Sequence, residues 1–414
     1  MSPAPALRPA PSARYALLAS TMLLSMGGLL MIYSASSASD FARYGDSAYH
    51  LKPQAVFLLI GIVALWACSH LTPRFVRRLG WLVLIGADVG LLLVLAAGVG
   101  KYGATRWLDL GFTTLQPSEF AKLGCVLVVA EILADRERRP RPMKDDLPRL
   151  LLVVGVPFVL VMLQPDMGTA MSILMAVFFV LILGGLQMRW VLATAAGIAM
   201  AVPLLIMGKD YRATRFLGFL DPYADPLGKG YQIIQAKLAF GSGGLLGLGL
   251  GLSRQKFFYL PAAHTDFIFA IIGEELGLVG TLTVVAAFGV MCYAGVRIAL
   301  SIKDPYARLV AGGLTIMIVT AAVLNMASVT GLVPVTGIPL PLVSYGGSSL
   351  VFTMGCIGLI LAMTRGRDRA SARQRPSVVE MEGNAGASTG ERRRDGRPRL
   401  SGIDGGRAPQ RRRA

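Results

Sequence analysis

The stretch LPAAHTDFIFAIIGEELG, residues 260–277, decides how the rest of the sequence is interpreted. It begins as polar, loop-like sequence and continues directly into an apolar helix, which predicts that His264 and Asp266 lie at a boundary between water and bilayer. Glu274 and Glu275 then lie inside the bilayer. A carboxylate beyond that boundary costs about 2.5 to 3.5 kcal/mol, so it normally faces a partner, a wet cavity or a substrate path. Helix capping by Asp266 is the alternative, but it explains only one of these residues.

The composition is that of a polytopic helical membrane protein. Hydrophobic residues make up 54% of the chain, the mean hydropathy is +0.58, and apolar runs of about 20 residues recur. A large share of the formal charge of +17 lies in the Arg-rich C-terminal tail, which is polar and poor in aromatic residues. Anionic lipid headgroups or membrane orientation explain such a tail before DNA is needed, so no nucleic-acid partner is expected.

The predicted fold is an all-α polytopic membrane protein with ten transmembrane helices and both termini in the cytoplasm. Basic short loops at 70–79 and 135–149 mark the cytoplasmic side by the positive-inside rule. A large extracytoplasmic loop, at about 208–265, connects the seventh and eighth helices. The predicted spans are 15–34, 54–69, 80–99, 117–134, 149–163, 168–186, 190–207, 266–294, 308–332 and 345–364.

Three segments result from this assignment. Residues 1–14 form a cytoplasmic N-terminal segment, residues 15–364 form the membrane domain, and residues 365–414 form a cytoplasmic tail. The tail cannot bury a core and is predicted to be disordered. The first apolar run imitates a signal peptide. It is longer than the apolar region of a signal peptide, which has about 7 to 15 residues, so we expect it to remain as the first span.

A second charged patch, RWLDLGFTTLQPSEFAKL, leads into the fourth span, where Pro117 suits a helix start. Glu119 and Lys122 are three residues apart and therefore share one face of that helix. A self-contained Glu119–Lys122 pair is one interpretation. The other is an ion pair between Lys122 and Asp266 inside one outward-facing cavity, in which the lysine keeps the aspartate ionised.

Helical spacing separates the two glutamates of the eighth span. Glu274 lies about 80° around the helix from Asp266 and could share its cavity, whereas Glu275 is nearly opposite and is expected to bind a neighbouring helix. Asp166, in the short connection QPDMGT, is best explained by turn formation. Asn325, within the ninth span, is expected to be an interhelical tie.

The last polar patch is TGIPLPLVSYGGSSL, residues 336–350. Its prolines forbid a regular helix, and irregular backbone at this depth is tolerated only against protein or a wet cavity. The serines and glycines that follow could seat a diphosphate at a helix start with free N–H groups. A plain turn from loop to helix is equally compatible with this pattern. The glycine cluster at 241–251 matches small-residue packing or a re-entrant turn instead of a dinucleotide motif.

These patches are predicted to converge on the outer side of the membrane. They indicate a ligand that is anionic, linked to lipid and approached from outside the cytoplasm. The four cysteines show no ligand spacing, and His264 with Asp266 are too few for a metal cage, so no metal motif is found. The candidate substrate-binding residues are Arg106, Trp107, Glu119, Lys122, Arg215, Lys256, His264, Glu274, Ser344, Gly346, Gly347 and Ser348.

At these residues the sequence resembles the SEDS family (shape, elongation, division and sporulation), the multi-pass peptidoglycan polymerases of bacteria. The resemblance covers roughly residues 15–364, and it is stronger to the division members than to the elongation members. The motifs that carry it are GATRWLDLG with QPSEFAKL, QPDMGTA, FLDPYADPLGKGYQIIQ, SRQKFFYLPAAHTDFIFAIIGEELG and LPLVSYGGSSL.

The resemblance implies a reaction in which disaccharide-pentapeptide units of lipid II join growing glycan strands and undecaprenyl diphosphate leaves. The family's essential aspartate matches Asp266, which would act as the catalytic base toward the acceptor hydroxyl. The implied partners are a class B penicillin-binding protein, which is a transpeptidase, and other division proteins of the same membrane at the septum. The donor diphosphate would be held, alone or with a divalent cation (Mg²⁺ or Mn²⁺), by Arg106, Lys122, Arg215 and Lys256.

Two other functions are compatible with intramembrane charge. A lipid II flippase would place ionisable residues along the whole path across the membrane, whereas only Asp88 and Glu131 lie deeper here. A non-catalytic division scaffold would tolerate conservative changes inside the cavity. The positions of the polar residues favour polymerisation over both.

Overall fold

The structure is a computed structural model that describes residues 11–101, 104–109, 111, 114–194, 196–197, 218–228, 230–257 and 259–373. Arg215, most of the predicted seventh span and the tail beyond residue 373 lie outside these residues. The chain forms one compact unit over Met1–Asp368 and a second over Arg369–Ala414. The elements below belong to the first unit, apart from the last residues of the final helix.

Helices dominate the part of the chain that the structure describes. A three-stranded antiparallel sheet follows the third helix, with β1 (Val99–Lys101), β2 (Ala104–Asp109) and β3 (Thr114–Leu115) in that order. Residues 188–194 are also helical. The long helices are α1 (Pro11–Tyr44), α2 (Leu51–Ser69), α3 (Pro73–Ala97), α4 (Pro117–Arg138), α5 (Met143–Leu163), α6 (Met167–Leu183), α7 (Tyr231–Gly243), α8 (Ile268–Ser301), α9 (Pro305–Val329) and α10 (Gly347–Arg373).

Seven of the described helices are long and apolar enough to cross a membrane, namely α1, α2, α3, α5, α8, α9 and α10. The apolar helix α6 is shorter, and α4 carries charges near both ends. A helical, polytopic membrane fold is therefore confirmed. The count of ten spans and the sidedness of the termini stay predictions.

The helices begin where the sequence chemistry indicates. Pro117 occupies the first turn of α4, and Asp304 caps α9 by accepting a hydrogen bond from the N–H of Ala307 at 3.0 Å. Asp166 caps α6 in the same way, with the N–H of Thr169 3.1 Å from its Oδ1. The turn role predicted for Asp166 is confirmed, since its carboxylate satisfies N–H groups that a helix start leaves free.

The first helix is longer than predicted, because α1 continues to Tyr44 instead of ending at residue 34. Its serine-rich continuation is helical, and its hydroxyls are satisfied by carbonyls of the preceding turn; Ser39 Oγ donates to the carbonyl of Ser36 at 2.8 Å. The connection predicted at 35–53 is thus reduced to the few residues between Tyr44 and α2. Asp40, expected in that loop, is buried in the added turns of α1.

Helix α4 forms the centre of the bundle and packs against α3, α5, α6 and α9. Nearly every residue from Pro117 to Ala134 is buried, although the helix carries charges near both ends. The contact with α3 is close, since a Cβ on Gly124 would lie 2.7 Å from the Cα of Leu84. Small residues allow this approach, which van der Waals packing favours where lipid offers no hydrophobic drive.

Helix α8 is interrupted at Gly277, whereas the sequence predicted a continuous span over 266–294. Gly277 has φ of 65°, and the loop that follows α7 lies against the break. The N–H of Leu248 donates to the carbonyl of Glu274 at 2.9 Å, and the N–H of Leu278 donates to Gly244 at 3.0 Å. These bonds satisfy the groups that the break frees, as a bilayer requires. The glycine cluster is therefore used for close packing, one of its two predicted roles.

Candidate active site

Asp266 stands in a tight turn at residues 262–267, here called the Asp266 turn, immediately before α8. The carbonyl of Ala262 accepts hydrogen bonds from the N–H groups of Thr265 (3.1 Å) and Phe267 (3.3 Å). Ala262 has φ of 56°, a strained conformation of the kind that concentrates at functional sites. The N-cap of α8 is Phe267, which makes no side-chain capping bond, and Asp266, the residue before it, is partly exposed.

Two carbonyls of the Asp266 turn are held by the loop at 336–348. The carbonyl of His264 accepts a hydrogen bond from the N–H of Tyr345 at 3.0 Å. The carbonyl of Thr265 accepts one from Ser344 Oγ at 2.6 Å, and the same Oγ accepts the N–H of Leu340 at 2.8 Å. Ser344 is therefore a clamp between the two segments, in place of the free ligand that the sequence predicted.

A third carbonyl of the turn is held by Asn325 on α9. Its Nδ2 donates to the carbonyl of Asp266 at 2.8 Å and to the carbonyl of Ile338 at 2.7 Å. The interhelical tie predicted for Asn325 is confirmed. With three successive carbonyls anchored, the backbone that carries Asp266 is fixed in the way that catalytic geometry requires.

The start of α10 closes one side of the site. The N–H of Gly346 donates to Gln54 Oε1 at 3.2 Å, and Ser348 Oγ donates to the carbonyl of Thr114 at 2.5 Å. Gly347 lies against the ring of Phe57, where a Cβ would clash. The N–H of Gly346, predicted as part of a diphosphate seat, is thus already bonded to α2.

Arg106, on β2, binds the turn that precedes α6. Its Nη2 donates to the carbonyl of Pro165 at 2.7 Å, and its Nε lies 3.8 Å from Asp166 Oδ2. Asp166 Oδ2 also accepts the hydroxyl of Thr169 at 2.8 Å. Trp107, the next residue of β2, is partly buried and pairs opposite Val99 of β1. Arg106 therefore joins the sheet to the start of α6.

Lys122 forms its ion pair with Glu119 of the same helix, with Nζ 2.8 Å from Oε1. Both residues are buried. This is the self-contained pair that the sequence allowed, and it replaces the predicted ion pair between Lys122 and Asp266. Spacing within one helix brings Glu119 and Lys122 together without help from the fold.

Glu274 is buried and holds the loop that follows α7. Its Oε2 accepts the hydroxyl of Ser253 at 2.5 Å, and its Oε1 accepts the N–H of Arg254 at 3.0 Å. Ser242 Oγ and the N–H of Gln255 add bonds of 3.4 and 3.3 Å. A buried carboxylate so enclosed serves the loop. Substrate binding by Glu274 stays a prediction.

Glu275 binds a neighbouring helix, as predicted, through Ser34 Oγ of α1 at 2.6 and 2.8 Å. It also accepts from Lys256, whose Nζ lies 3.4 Å from its Oε1. Lys256 Nζ donates in addition to the carbonyl of Gly251 at 2.5 Å. The side chains of Lys256 and Glu275 are 4% and 0% exposed, so the predicted diphosphate ligand Lys256 is instead part of a buried ion pair.

The polar patches that are distant in sequence meet at one end of the bundle, here called the Asp266 end. Arg106 joins the sheet to the turn before α6. Gly168, in the first turn of α6, packs so closely on the carbonyl of Thr336 that no Cβ would fit. Ser344 joins the following loop to the Asp266 turn. The predicted convergence is therefore present among the described residues, through contacts between backbone and side chains.

Comparison with known proteins identifies the family. Residues 14–369 match the model of the cell cycle protein family that comprises FtsW, RodA and SpoVE. The chain belongs to this family. The resemblance seen in its motifs is confirmed over nearly the whole membrane domain.

The FtsW/RodA/SpoVE relatives are similar over most of their length. "Probable peptidoglycan glycosyltransferase FtsW" of Trichlorobacter lovleyi is 37% identical over 352 residues, which cover 84% of this chain and 92% of the relative. "Stage V sporulation protein E" of Bacillus subtilis is 38% identical over 348 residues, covering 83% and 95%.

Solved structures of the family share the fold. The rod shape determining protein RodA of Thermus thermophilus is 29% identical, with a TM-score of 0.65 over 85% of this chain and 97% of its own. A chain from a study titled "Structural coordination of polymerization and crosslinking by a peptidoglycan synthase complex" is 31% identical, with a TM-score of 0.69 over 86% and 97%.

The sequence did not single out two residues of this family member that lie beside the Asp266 turn. Asp40, 1% exposed, accepts the Nδ1–H of His50 at 2.6 Å. The ring of His50 lies 4.6 Å from that of His264, centroid to centroid. A buried carboxylate beside a histidine is a functional signal, but it was hidden because Asp40 was assigned to a loop.

The environment of His264 keeps its imidazole neutral. Burial, followed by the charges of His50 and Arg43, lowers the pKa of His264 from 6.5 to about 4. Burial also raises the pKa of the neighbouring Tyr345. His264 therefore offers Asp266 an uncharged neighbour at neutral pH.

Proposed function

We propose that this protein is a peptidoglycan glycosyltransferase that polymerises lipid II, with Asp266 as its catalytic base. The observation that carries the proposal is the Asp266 turn, in which three successive carbonyls are anchored by Tyr345, Ser344 and Asn325. A carboxylate on so rigid a support, partly exposed at a helix start, suits proton transfer at a fixed position. The names of the FtsW relatives support the same activity.

In the proposed reaction Asp266 accepts the proton of the acceptor sugar's 4-hydroxyl as that oxygen attacks the anomeric carbon of the donor. The bond from that carbon to the diphosphate oxygen breaks, and undecaprenyl diphosphate leaves with its electron pair. Because diphosphate is stable as an anion, no strong general acid is needed, unlike the paired carboxylates of most glycosidases. A single base is therefore sufficient.

The diphosphate is proposed to lie among the basic groups at the Asp266 end. Arg106 and Lys122 lie in this region with their charges partly offset by Asp166 and Glu119. Arg215, which lies outside the described residues, remains a candidate ligand of the diphosphate. Lys256 is withdrawn, because its ammonium group is enclosed with Glu275.

A divalent cation held by the protein does not fit the described residues. No group of three His, Cys, Asp or Glu side chains among them could hold a metal ion. Asp166 is bonded to Thr169 and Glu119 to Lys122, which leaves too few carboxylate ligands.

The proposed setting is the bacterial cytoplasmic membrane at the division septum. Ten spans with cytoplasmic termini, and an extracytoplasmic loop before α8, would place the Asp266 end where lipid II is polymerised. A class B penicillin-binding protein is the proposed partner, as the structural neighbour from a peptidoglycan synthase complex suggests. Other division proteins of the membrane are proposed to join them.

The test is glycan synthesis from purified fluorescent lipid II by the reconstituted protein, with and without its transpeptidase partner. Asp266→Asn is expected to abolish polymer while the protein still folds and binds the partner. Asp46→Asn is the matched control, because Asp46 is an exposed acid paired with Lys52 in the turn before α2. Undiminished polymer from Asp266→Asn would remove the catalytic assignment and leave the flippase and scaffold alternatives.

A further inference from the structure

Four side chains from four separate segments meet beside the Asp266 turn. Asp40 comes from the end of α1, His50 from the turn before α2, His264 from the Asp266 turn and Tyr345 from the loop before α10. The ring of His50 lies 4.6 Å from that of His264 and 4.8 Å from that of Tyr345, and His264 lies 5.7 Å from Tyr345. We call this group the His50 cluster.

The carboxylate of Asp40 fixes the orientation of His50. Oδ1 lies 2.6 Å from His50 Nδ1, and Oδ2 accepts the N–H of His50 at 3.1 Å and the hydroxyl of Ser36 at 2.8 Å. With Oδ1 as the acceptor, the proton of this bond is carried by Nδ1, and the rest of the ring points away from Asp40. A buried carboxylate with this set of partners resembles the groups that orient ligating or catalytic histidines.

His50 is linked to the Asp266 turn by ring contacts and by one backbone hydrogen bond. His50 lies tilted by 38° against His264 and edge-on, at 90°, to Tyr345. Tyr345 in turn donates its N–H to the carbonyl of His264, two residues before Asp266. A rotation of the His50 ring would therefore displace both His264 and Tyr345, which it contacts.

Groups from three elements face His264. Asp40 and Arg43 face it from α1, and the imidazole of His50 faces it from the turn before α2. Tyr345 faces it from the loop, itself close to Tyr44 and Tyr49. A neutral His264 in this surrounding does not weaken the proposed base, whereas a cation two residues away would.

We infer that Asp40 and His50 are positioning residues of the transferase, which hold His264 and Tyr345 so that Asp266 meets the acceptor hydroxyl. The inference rests on the proposed function. Neither residue touches the reacting atoms; both act through the turn. An error of about 1 Å in such a support costs on the order of a hundredfold in rate, so the effect is measurable.

The test compares two variants with one control in the lipid II assay. Asp40→Asn removes the charge, and His50→Phe keeps an aromatic ring but loses the Nδ1–H. Each is expected to lower kcat at least tenfold with less than a twofold change in the KM for lipid II. The double variant is expected to lose no more than the worse single variant, because the pair acts as a unit. Lys52→Met, at an exposed neighbouring position, is expected to keep full activity.

The pH profile of the rate and thermal unfolding distinguish a positioning role of Asp40 and His50 from a role in stability alone. We expect the acid limb of the rate profile to move by at least half a pH unit in His50→Phe, because a displaced base has altered surroundings. Wild-type kcat in both variants, or a loss that follows the unfolded fraction with an unchanged profile, overturns the inference. If Asp40→Asn does not accumulate, His50→Phe alone decides. Asp266→Asn distinguishes this inference from the proposed function. If Asp266→Asn is inactive while Asp40→Asn and His50→Phe are fully active, only the positioning role of Asp40 and His50 is wrong. If Asp266→Asn is active, Asp266 is not the catalytic base.

Discussion

Replacing Lys256 by methionine distinguishes its two possible roles. The sequence predicted a diphosphate ligand, whereas the structure encloses its ammonium 3.4 Å from Glu275 with 4% of its side chain exposed. Removing one partner of a buried ion pair leaves an uncompensated charge and costs about 3 to 5 kcal/mol. That cost corresponds to roughly a hundredfold to several thousandfold in the folding equilibrium.

The pairing with Glu275 can be tested by restoring neutrality. In Lys256→Met with Glu275→Gln neither charge is left, and the amide oxygen can still accept from Ser34 and from the N–H of Ser253. Replacing both partners of a buried pair is often neutral, so most of the lost stability is expected to return. Lys52→Met is the matched control. Its pair with Asp46 is 68% and 40% exposed, and such pairs contribute less than about 1 kcal/mol.

The assay is the midpoint of thermal unfolding in detergent, measured together with lipid II turnover. Lys256→Met should unfold several degrees below the wild type, and the double variant should recover. The reasoning is refuted if Lys256→Met unfolds like the wild type with a raised KM for lipid II and the double variant shows the same KM. Lys256 would then be the diphosphate ligand that the sequence predicted.

Two further outcomes follow from the same contacts. Gly168→Ala should lower the unfolding midpoint and glycan synthesis, because its Cβ would meet the carbonyl of Thr336, whereas Gly155→Ala, with nothing within 4 Å, should be neutral or stabilising. The pKa of His264 is lowered from 6.5 to about 4 on folding, so the unfolded chain binds the extra proton between these values. Stability should fall as the pH drops through that window, and His264→Gln should flatten the fall in unfolding midpoints.

Local signals predicted most of the helices correctly. Apolar length and the residues that start helices, such as Pro117 and Asp166, act within one or two turns and need no knowledge of the fold. The Glu119–Lys122 pair belongs to the same class, because three residues of spacing bring the groups together. Convergence of the patches was predictable as well, since expensive polar groups in a membrane collect at one site.

Partner choice was not predictable, because it depends on elements that meet only in the fold. Lys256 finds Glu275 because the loop after α7 folds against the break at Gly277, and no sequence distance encodes that contact. The extension of α1 was missed for a related reason. A serine-rich segment ends an apolar window, yet Asp40 is stabilised there by His50, ten residues further along the chain.

The arrangement along α4 bears on the choice between polymerisation and flipping. A flippase needs a polar route that continues across the membrane, because a charged headgroup cannot cross hydrocarbon unpaired. From Leu123 to Ala130, between the Lys122 pair and Glu131, the central helix is buried and its side chains are apolar, Cys125 included. Glu131, one residue further along, forms an ion pair with Arg77 of α3 at 2.9 Å. Between Leu123 and Ala130 this helix contributes no polar side chain to a route through the bundle, which favours transfer of a sugar at the Asp266 end over flipping.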